Sequence, residues 1–183
     1  LVKHALEFLK EVKKPVVLDI GTGSGCIAVA VKKNNPAVMV SAVDISNEAL
    51  NIAKENAAAN EVTINFTELD FLDHSSWDQL GICDCIISNP PYIPLQEAVL
   101  LDKNVTEHEP HSALFVPNDQ PLLFYEAIAA FATEHLGENG KIFVETHEDL
   151  AEKVAAVFLT KGFTAFILKD IFGKQRFVKA GRS

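Results

Sequence analysis

A five-residue apolar run followed at once by three closely spaced glycines constrains this chain more than any other feature. Val16 to Ile20 is apolar except for Asp19, and Gly21, Gly23 and Gly25 come directly after it. A continuous apolar strand is typical of a parallel sheet that helices cover on both faces. Glycines between a strand and a helix permit sharp turns and a close approach to a ligand. The pattern predicts the first strand–helix unit of a doubly wound α/β domain.

The rest of the chain alternates in the same way, which predicts seven strands, mostly parallel, with the last one antiparallel to its neighbours. The predicted strands are Val16 to Ile20, Val38 to Val43, Thr63 to Leu69, Asp84 to Ser88, Gly140 to Glu145, Phe163 to Lys169 and Arg176 to Ala180. The predicted helices are Cys26 to Lys33, Ser46 or Asn47 to Ala59, Leu122 to Leu136 closed by Gly137, and Leu150 to Thr160. The least regular stretch, Pro90 to Gln120, is long enough to predict a functional loop.

Acidic residues outnumber basic ones by 25 to 16, which gives a formal net charge of −9. Proteins that bind nucleic acid usually carry a basic face, so this balance argues against DNA or RNA as a partner. No apolar run approaches the roughly 20 residues needed to cross a bilayer. We therefore expect a cytoplasmic monomer without membrane contact.

The three cysteines, Cys26, Cys83 and Cys85, stand in apolar strand or helix contexts. Their odd number and placement predict reduced core thiols rather than disulfides. Cys83 and Cys85 should point to opposite sides of one strand, which makes a shared metal ion unfavourable. We expect no metal site at His108 and His111 either, since a proline separates them and no third ligand is near.

Acidic residues at the ends of the second and third strands predict a nucleotide-type cofactor beside the glycines. A carboxylate at Asp44 can accept both hydroxyls of a ribose; the alternative is a helix cap, for which Ser46 is better placed. Asp70 and Phe71 either frame an adenine, through a ring or a backbone edge, or form a strand-end turn with a core phenylalanine. Asp19 either holds the glycine loop or approaches the amino-acid part of the cofactor. The residues expected to contact the cofactor are Asp19, Gly21, Thr22, Gly23, Ser24, Gly25, Asp44, Ile45, Asp70, Phe71 and Asn89.

The tetrapeptide Asn89-Pro90-Pro91-Tyr92 follows the fourth strand and offers groups that hold a planar nitrogen. The Asn89 side-chain oxygen can accept one N–H, the Pro90 carbonyl the other, and the Tyr92 ring can stack on the flat face. The double proline stiffens this segment, and a plain turn is the competing interpretation. Glu109 either orders the loop that carries Tyr92 or is solvated. Methyl transfer to a planar nitrogen is predicted, with Asn89, Pro90 and Tyr92 as catalytic residues and Asn89, Pro90, Pro91, Tyr92 and Glu109 as substrate-binding residues.

Together these motifs resemble the class I S-adenosylmethionine-dependent methyltransferases, and more narrowly the HemK/PrmC group of protein-(glutamine) methyltransferases. The resemblance rests on Asp19 to Gly25, Asp44, Asp70, Asn89 to Tyr92, Glu109-Pro110, Ala113-Leu114, Gly140 to Glu145, Asp170, Gly173 and Arg176-Phe177. It implies a Rossmann-like fold, S-adenosylmethionine as cofactor and S-adenosylhomocysteine as product. It further implies that the substrate is the glutamine side chain in the Gly-Gly-Gln motif of peptide-chain release factors.

Members of the HemK/PrmC group also carry an N-terminal helical domain that helps to hold the release factor. The first predicted strand here begins at Val16 and the chain starts without methionine. We therefore expect residues 1–183 to be the catalytic domain alone. His108 stands where the group usually has an aromatic residue, and Phe71 where a tryptophan is frequent.

Two other functions remain open at this point. A nucleic-acid amino-methyltransferase would use the same tetrapeptide on adenine or guanine, but the acidic charge disfavours it. A cofactor-binding domain without catalysis, or a NAD-type dehydrogenase, is disfavoured by Asn89 to Tyr92. The glycine spacing is also tighter than the dinucleotide fingerprint.

Overall fold

The computed structural model describes residues 1–91, 93–94, 115–116 and 120–182, of which 93–94 and 115–116 are described by their backbone. Tyr92, His108, Glu109 and His111 lie outside these ranges, so the predictions about them are not addressed by the structure. Within the described ranges, no helix combines the length and the apolar character that crossing a membrane requires.

The described strands are β1 (Val16–Ile20), β2 (Met39–Asp44), β3 (Asn65–Glu68), β4 (Cys83–Ser88), β5 (Ile93–Pro94), β6 (Phe115–Val116), β7 (Leu136–Glu145), β8 (Thr164–Lys169) and β9 (Gln175–Gly181). Seven of them form one mixed sheet in the order β3-β2-β1-β4-β7-β9-β8. Neighbours from β3 to β7 are parallel, and β9 runs antiparallel to both β7 and β8. The predicted doubly wound sheet with an antiparallel last strand is therefore confirmed.

Helices cover both faces of the sheet. They are α1 (Val2–Leu9), α2 (Cys26–Asn34), α3 (Asn47–Ala59), α4 (Leu123–His135) and α5 (Ala151–Thr160), together with short 3-10 helices at His74–Leu80 and Glu148–Leu150. One core cluster packs α4 and α5 against one face of the sheet, and another packs α1 and α2 against the other face. Successive strand residues alternate between the two clusters because side chains point to opposite faces of a strand.

The two β4 cysteines lie on opposite sides of the sheet, as predicted, but regular alternation is not the reason, because it would place residues two apart on the same face. Cys83 belongs to the α4–α5 side of the core and Cys85 to the α1–α2 side because the register of β4 shifts between them. Burial raises the pKa of the Cys83 thiol to about 12. All three cysteines are free. The prediction of a core position was wrong for Cys26, which is exposed as the first residue of α2.

The junction between α4 and β7 differs from the prediction. Gly137 does not close a helix: α4 ends at His135 and the chain enters β7 at Leu136 without a loop. Leu136 pairs with Cys83, and the register then shifts before Lys141 pairs with Cys85, so Gly137 lies in an irregular stretch of strand. Within the stretch predicted to be irregular, β5 (Ile93–Pro94) and β6 (Phe115–Val116) pair in parallel as a separate two-stranded sheet.

Candidate functional site

The predicted site residues that the structure describes lie at the carboxyl edge of the sheet, where β1 lies between β2 and β4. Ile20 is in register with Val43 on one side and with Ser88 on the other. The residues that follow these positions, Gly21, Asp44 and Asn89, therefore lie next to one another. The chain winds outward from β1 to β2 and β3, then returns to the other side of β1 with β4. Such a switch point is where open α/β sheets bind their ligands.

The loop of residues 21–25, the glycine loop, follows β1 with a backbone that only glycine adopts easily. Gly21 and Gly23 have φ angles of 67° and 55°. A Cβ added at either position would meet nothing within 4 Å. Packing would leave room for a side chain at both positions. The left-handed backbone conformation is therefore what requires glycine there. The backbone N–H groups of Gly21 and Thr22 both donate to the Val43 carbonyl, at 2.9 and 3.0 Å, which fixes the start of the loop against β2.

Gly25 has a different role, at the point where α2 packs against α3. Its φ is 80°, and a Cβ there would lie 2.9 Å from the Ala53 Cβ. A side chain is therefore excluded by conformation and by space alike. Asn56 of α3 also donates its Nδ2 to the Ser24 carbonyl at 2.9 Å. Helix α3 thus supports the loop from the side.

The Asp44 carboxylate joins the glycine loop to the turn that follows β2. Oδ2 accepts the N–H of Gly23 at 2.8 Å, and Oδ1 accepts the N–H of Ser46 at 2.9 Å. Ser46, not Asp44, caps α3, because its hydroxyl accepts the Ala49 N–H at 3.2 Å. The neighbouring Ile45 is 57% exposed, an apolar side chain at the rim of the same edge.

Asp19 lies beneath the loop and is fully buried. The Thr22 hydroxyl donates to Oδ2 at 2.7 Å, while Oδ1 meets no hydrogen-bond donor among the described residues. Burial raises the pKa of Asp19 from 3.8 to about 7; the Thr22 hydroxyl and the nearby Ala28 N–H oppose this shift, and the Asp44 carboxylate adds to it. The structure therefore places Asp19 where it holds the loop from inside, with one oxygen unsatisfied.

Asp70 and Phe71 follow β3 at the outer end of the same edge. Asp70 is exposed, and its Oδ1 accepts the Leu72 N–H at 2.9 Å. The Phe71 ring is 4% exposed and packs against Trp77 and Phe131, with ring centroids 5.6 and 5.4 Å apart. The ring belongs to the core, which leaves only the backbone of Phe71 to frame an adenine.

Residues 89–91, the Asn89 corner, follow the end of β4 directly. The buried Ser88 hydroxyl donates to the Ile20 carbonyl at 2.7 Å and ties the end of β4 to the start of the glycine loop. Asn89 is exposed, Pro90 is buried and Pro91 is half-buried. The corner therefore presents the Asn89 amide from a backbone that two proline rings and a buried hydrogen bond hold in place.

Sequence reasoning missed Ser88 and Asn56 as supports of the site. Each hydrogen-bonds a backbone carbonyl far away in the chain, at Ile20 and Ser24 respectively. A polar residue that closes the apolar run Cys85–Ile87 was the available signal for Ser88, because such a group must find a partner once buried. Asn56 gave no comparable signal, since its partner depends on how α3 meets the loop.

Comparison with known proteins agrees with this geometry. The family model "Methyltransferase small domain" matches residues 3–107. The release factor glutamine methyltransferase of Flavobacterium psychrophilum is 41% identical over 98% of this chain, and that of Lactococcus lactis is 43% identical over 88%. The chain spans 62% and 59% of the lengths of these two relatives.

A solved structure, that of TrmN from Thermus thermophilus, shares the fold. It matches all of this chain and 48% of its own chain with a TM-score of 0.68 at 20% identity. The glycine loop, Asp44 and the Asn89 corner thus stand at one edge of a sheet that known methyltransferases share, and the family model covers all three. This chain belongs to the methyltransferase small domain family.

Proposed function

We propose that this chain is the catalytic domain of an S-adenosylmethionine-dependent enzyme that methylates the glutamine side-chain amide in the Gly-Gly-Gln motif of release factors. The observation that carries the proposal is the register of β1 and β4, which places the Asn89 corner directly beside the glycine loop. The relatives named release factor glutamine methyltransferase support the same substrate. We further propose that the enzyme acts in the cytoplasm, where translation terminates.

The residues present at the sheet edge fit this cofactor. Gly21 and Gly23 face open space, so a ligand can approach the loop backbone closely. The Asp44 carboxylate provides oxygens at the loop for the ribose hydroxyls, and Ile45 provides an exposed apolar surface for the base. Asp70 and the Phe71 backbone would bound the adenine at the next strand. S-adenosylmethionine supplies, when bound, a methyl group made electrophilic by its sulfonium sulfur.

The Asn89 corner would supply the other half of the chemistry by holding the nucleophile. An amide nitrogen is a poor nucleophile because its lone pair is delocalised into the carbonyl group. Asn89 Oδ1 and the Pro90 carbonyl can accept the two amide hydrogens, which returns electron density to the nitrogen and fixes its direction. Tyr92 would pack on the amide plane. Positioning of this kind replaces a strong base, since the nitrogen becomes far more acidic once methylated.

A direct test is incubation of the chain with labelled S-adenosylmethionine and one of three substrates: a release factor, DNA or RNA. The proposal predicts label on the release factor, and peptide mapping should place one methyl group on the motif glutamine. The matched control is a release factor whose motif glutamine is replaced by alanine, which should stay unlabelled. Label confined to nucleic acid would replace this proposal with the amino-methyltransferase alternative.

A further inference from the structure

The tip of the β8–β9 hairpin, residues 170–174, carries the two most exposed large apolar side chains of the described part of the chain. Ile171 is 93% exposed and Phe172 is 81% exposed. The next in order, Ile82, is 62% exposed. Two adjacent apolar side chains held out in water are unfavourable unless they meet a partner. The proposed methyl transfer does not explain why these two side chains at the hairpin tip are exposed.

The tip is held in a defined conformation by hydrogen bonds. Asp170 Oδ1 accepts the N–H groups of Phe172 and Lys174 at 2.8 and 3.0 Å, and the Asp170 N–H donates to the Lys174 carbonyl at 2.8 Å. Gly173 provides the left-handed turn, with φ of 83°. Lys174 Nζ also lies 2.8 Å from Glu148 Oε1, which fastens the tip to the 3-10 helix before α5. Ile171 and Phe172 are thus presented by a preorganised turn, which lowers the entropy lost on binding.

The tip projects from the same edge of the sheet as the Asn89 corner. Ser88, Val144, Val178 and Ile167 lie in one row across β4, β7, β9 and β8. Since β8 runs in the direction of β4, both strands end at the carboxyl edge. Three strand spacings separate them, or about 14 Å. A substrate that reaches both places is larger than a nucleobase or a tripeptide, which spans only about 10 Å when extended.

The size of the apolar surface decides whether the tip binds a second copy of this chain or forms one part of a larger interface with another protein. The two side chains offer roughly 300 Å², while a stable dimer interface needs about 800 Å² from each partner. The tip alone is too small to hold a second copy of this chain. It has the size of an anchor within a larger interface, in which one aromatic and one aliphatic side chain supply much of the binding energy.

We infer that the hairpin tip is a docking contact for the protein substrate whose glutamine enters the Asn89 corner. This inference rests on the proposed function, because it assigns a second contact to the same substrate. The tip binds part of the folded release factor outside the Gly-Gly-Gln motif. The tip contributes to binding of the whole release factor and takes no part in methyl transfer.

The test compares a whole release factor with an acetylated Gly-Gly-Gln amide tripeptide as methyl acceptors. The double variant Ile171→Ser, Phe172→Ser should raise KM for the release factor by about tenfold or more, with kcat unchanged. Its kcat/KM for the tripeptide should equal that of the wild type, because the tripeptide cannot reach the tip. Asp170→Ala, which releases the turn but keeps both apolar side chains, should also raise KM for the release factor.

The matched control is Ile82→Ser. Ile82 is exposed and precedes β4, at the opposite edge of the sheet, so its loss should leave both substrates unaffected. A double variant with wild-type KM for the release factor would overturn the docking contact. Loss of a dimer in the double variant, seen by sedimentation, would also overturn it by making the tip a self-association surface. Failure of the wild-type chain to methylate either substrate would instead reject the proposed function, and the docking contact with it.

Discussion

The glycine loop and the Asn89 corner lie side by side at one sheet edge, yet different forces hold them. The loop is fixed by hydrogen bonds that its backbone donates: the Val43 carbonyl and the Asp44 carboxylate accept three of its N–H groups. The corner is fixed by proline rings and by the buried hydrogen bond of Ser88, while the Asn89 side chain stays exposed. The backbone N–H groups of the loop are already hydrogen-bonded, whereas the side-chain oxygen of Asn89 remains accessible as an acceptor.

This difference assigns separate roles to two neighbouring segments. A hydrogen-bonded loop over a buried carboxylate suits a ligand that binds the same way in every cycle. A stiff corner with an exposed amide suits a substrate that must be held in one direction for a short time. Damage to the loop should therefore appear in stability and cofactor affinity, and damage to the corner in turnover.

The largest effect is expected from Asn89→Ala. Loss of one positioned acceptor should lower kcat by about 100- to 1,000-fold, by analogy with loss of one transition-state hydrogen bond. Among the described residues, Asn89 makes no hydrogen bond to the glycine loop, so calorimetry should show nearly wild-type affinity for S-adenosylmethionine. Asn34→Ala, another exposed asparagine, is the control and should keep full activity. Wild-type turnover in Asn89→Ala would remove the proposed role of the corner.

Asp19→Asn should stabilise the protein above neutral pH. The folded-state pKa of about 7 exceeds the ordinary 3.8, so between these values the folded protein retains a proton that the unfolded chain has lost. The stability contribution of Asp19 therefore falls as pH rises from about 4 to 7. Urea unfolding at pH 8 should show roughly 2–4 kcal/mol more stability for Asp19→Asn, and little difference at pH 4.

The exposed residue Asp78 provides the control for this experiment. Asp78→Asn should not change the pH dependence of the free energy of unfolding. An Asp19→Asn variant that is less stable than the wild type at pH 8 would mean that the ionised carboxylate is a net stabilising support of the loop.

Gly25→Ala should cost about 2 kcal/mol of folding free energy, through the left-handed backbone and the contact with Ala53 together. Gly162→Ala is the matched comparison: its φ is 83°, close to that of Gly25, but a Cβ there meets nothing within 4 Å. It should cost about 1 kcal/mol. In a double-mutant cycle measured by urea unfolding, adding Ala53→Gly to Gly25→Ala should recover the difference in folding free energy between the two glycine variants. Equal costs for both glycine variants would show that the close packing of α2 on α3 is unimportant.

The smallest effect is expected from Asp44→Ala, as about tenfold weaker binding of S-adenosylmethionine, since one charged hydrogen-bond acceptor is lost. Turnover at saturating cofactor should change little. Glu68, the register partner of Asp44 on β3, is the control because it is also an acid near this edge. Glu68→Ala should leave the affinity unchanged, and an equal loss in both variants would point to a general charge effect.

Local patterns in the sequence predicted the sheet and the position of the site. The run at Val16–Ile20 was bounded correctly because its apolar residues and the glycines after it are both local signals. The α3 cap was narrowed to Ser46 or Asn47 for the same reason, and the structure selects Ser46. The placement of the glycine loop, Asp44 and Asn89 at one edge follows from the parallel order of the strands.

What could not be predicted depends on tertiary packing. Phe71 is a core residue because Trp77 and Phe131 pack against it; the sequence offered a core phenylalanine as one of two interpretations, and local residues could not decide between them. The exposure of Cys26 depends on how α2 starts beside the loop, and the early end of α4 depends on the pairing of Leu136 with Cys83.

A crystal structure of this chain with bound S-adenosylmethionine would show whether the Asn89 corner faces the methyl group. We expect the methyl carbon within about 6 Å of Asn89 Oδ1 and directed toward the corner, the separation at which a hydrogen-bonded nitrogen fits between them. A methyl carbon more than about 10 Å from Asn89, or one directed away from the corner, leaves no such position for the nitrogen and would contradict the account.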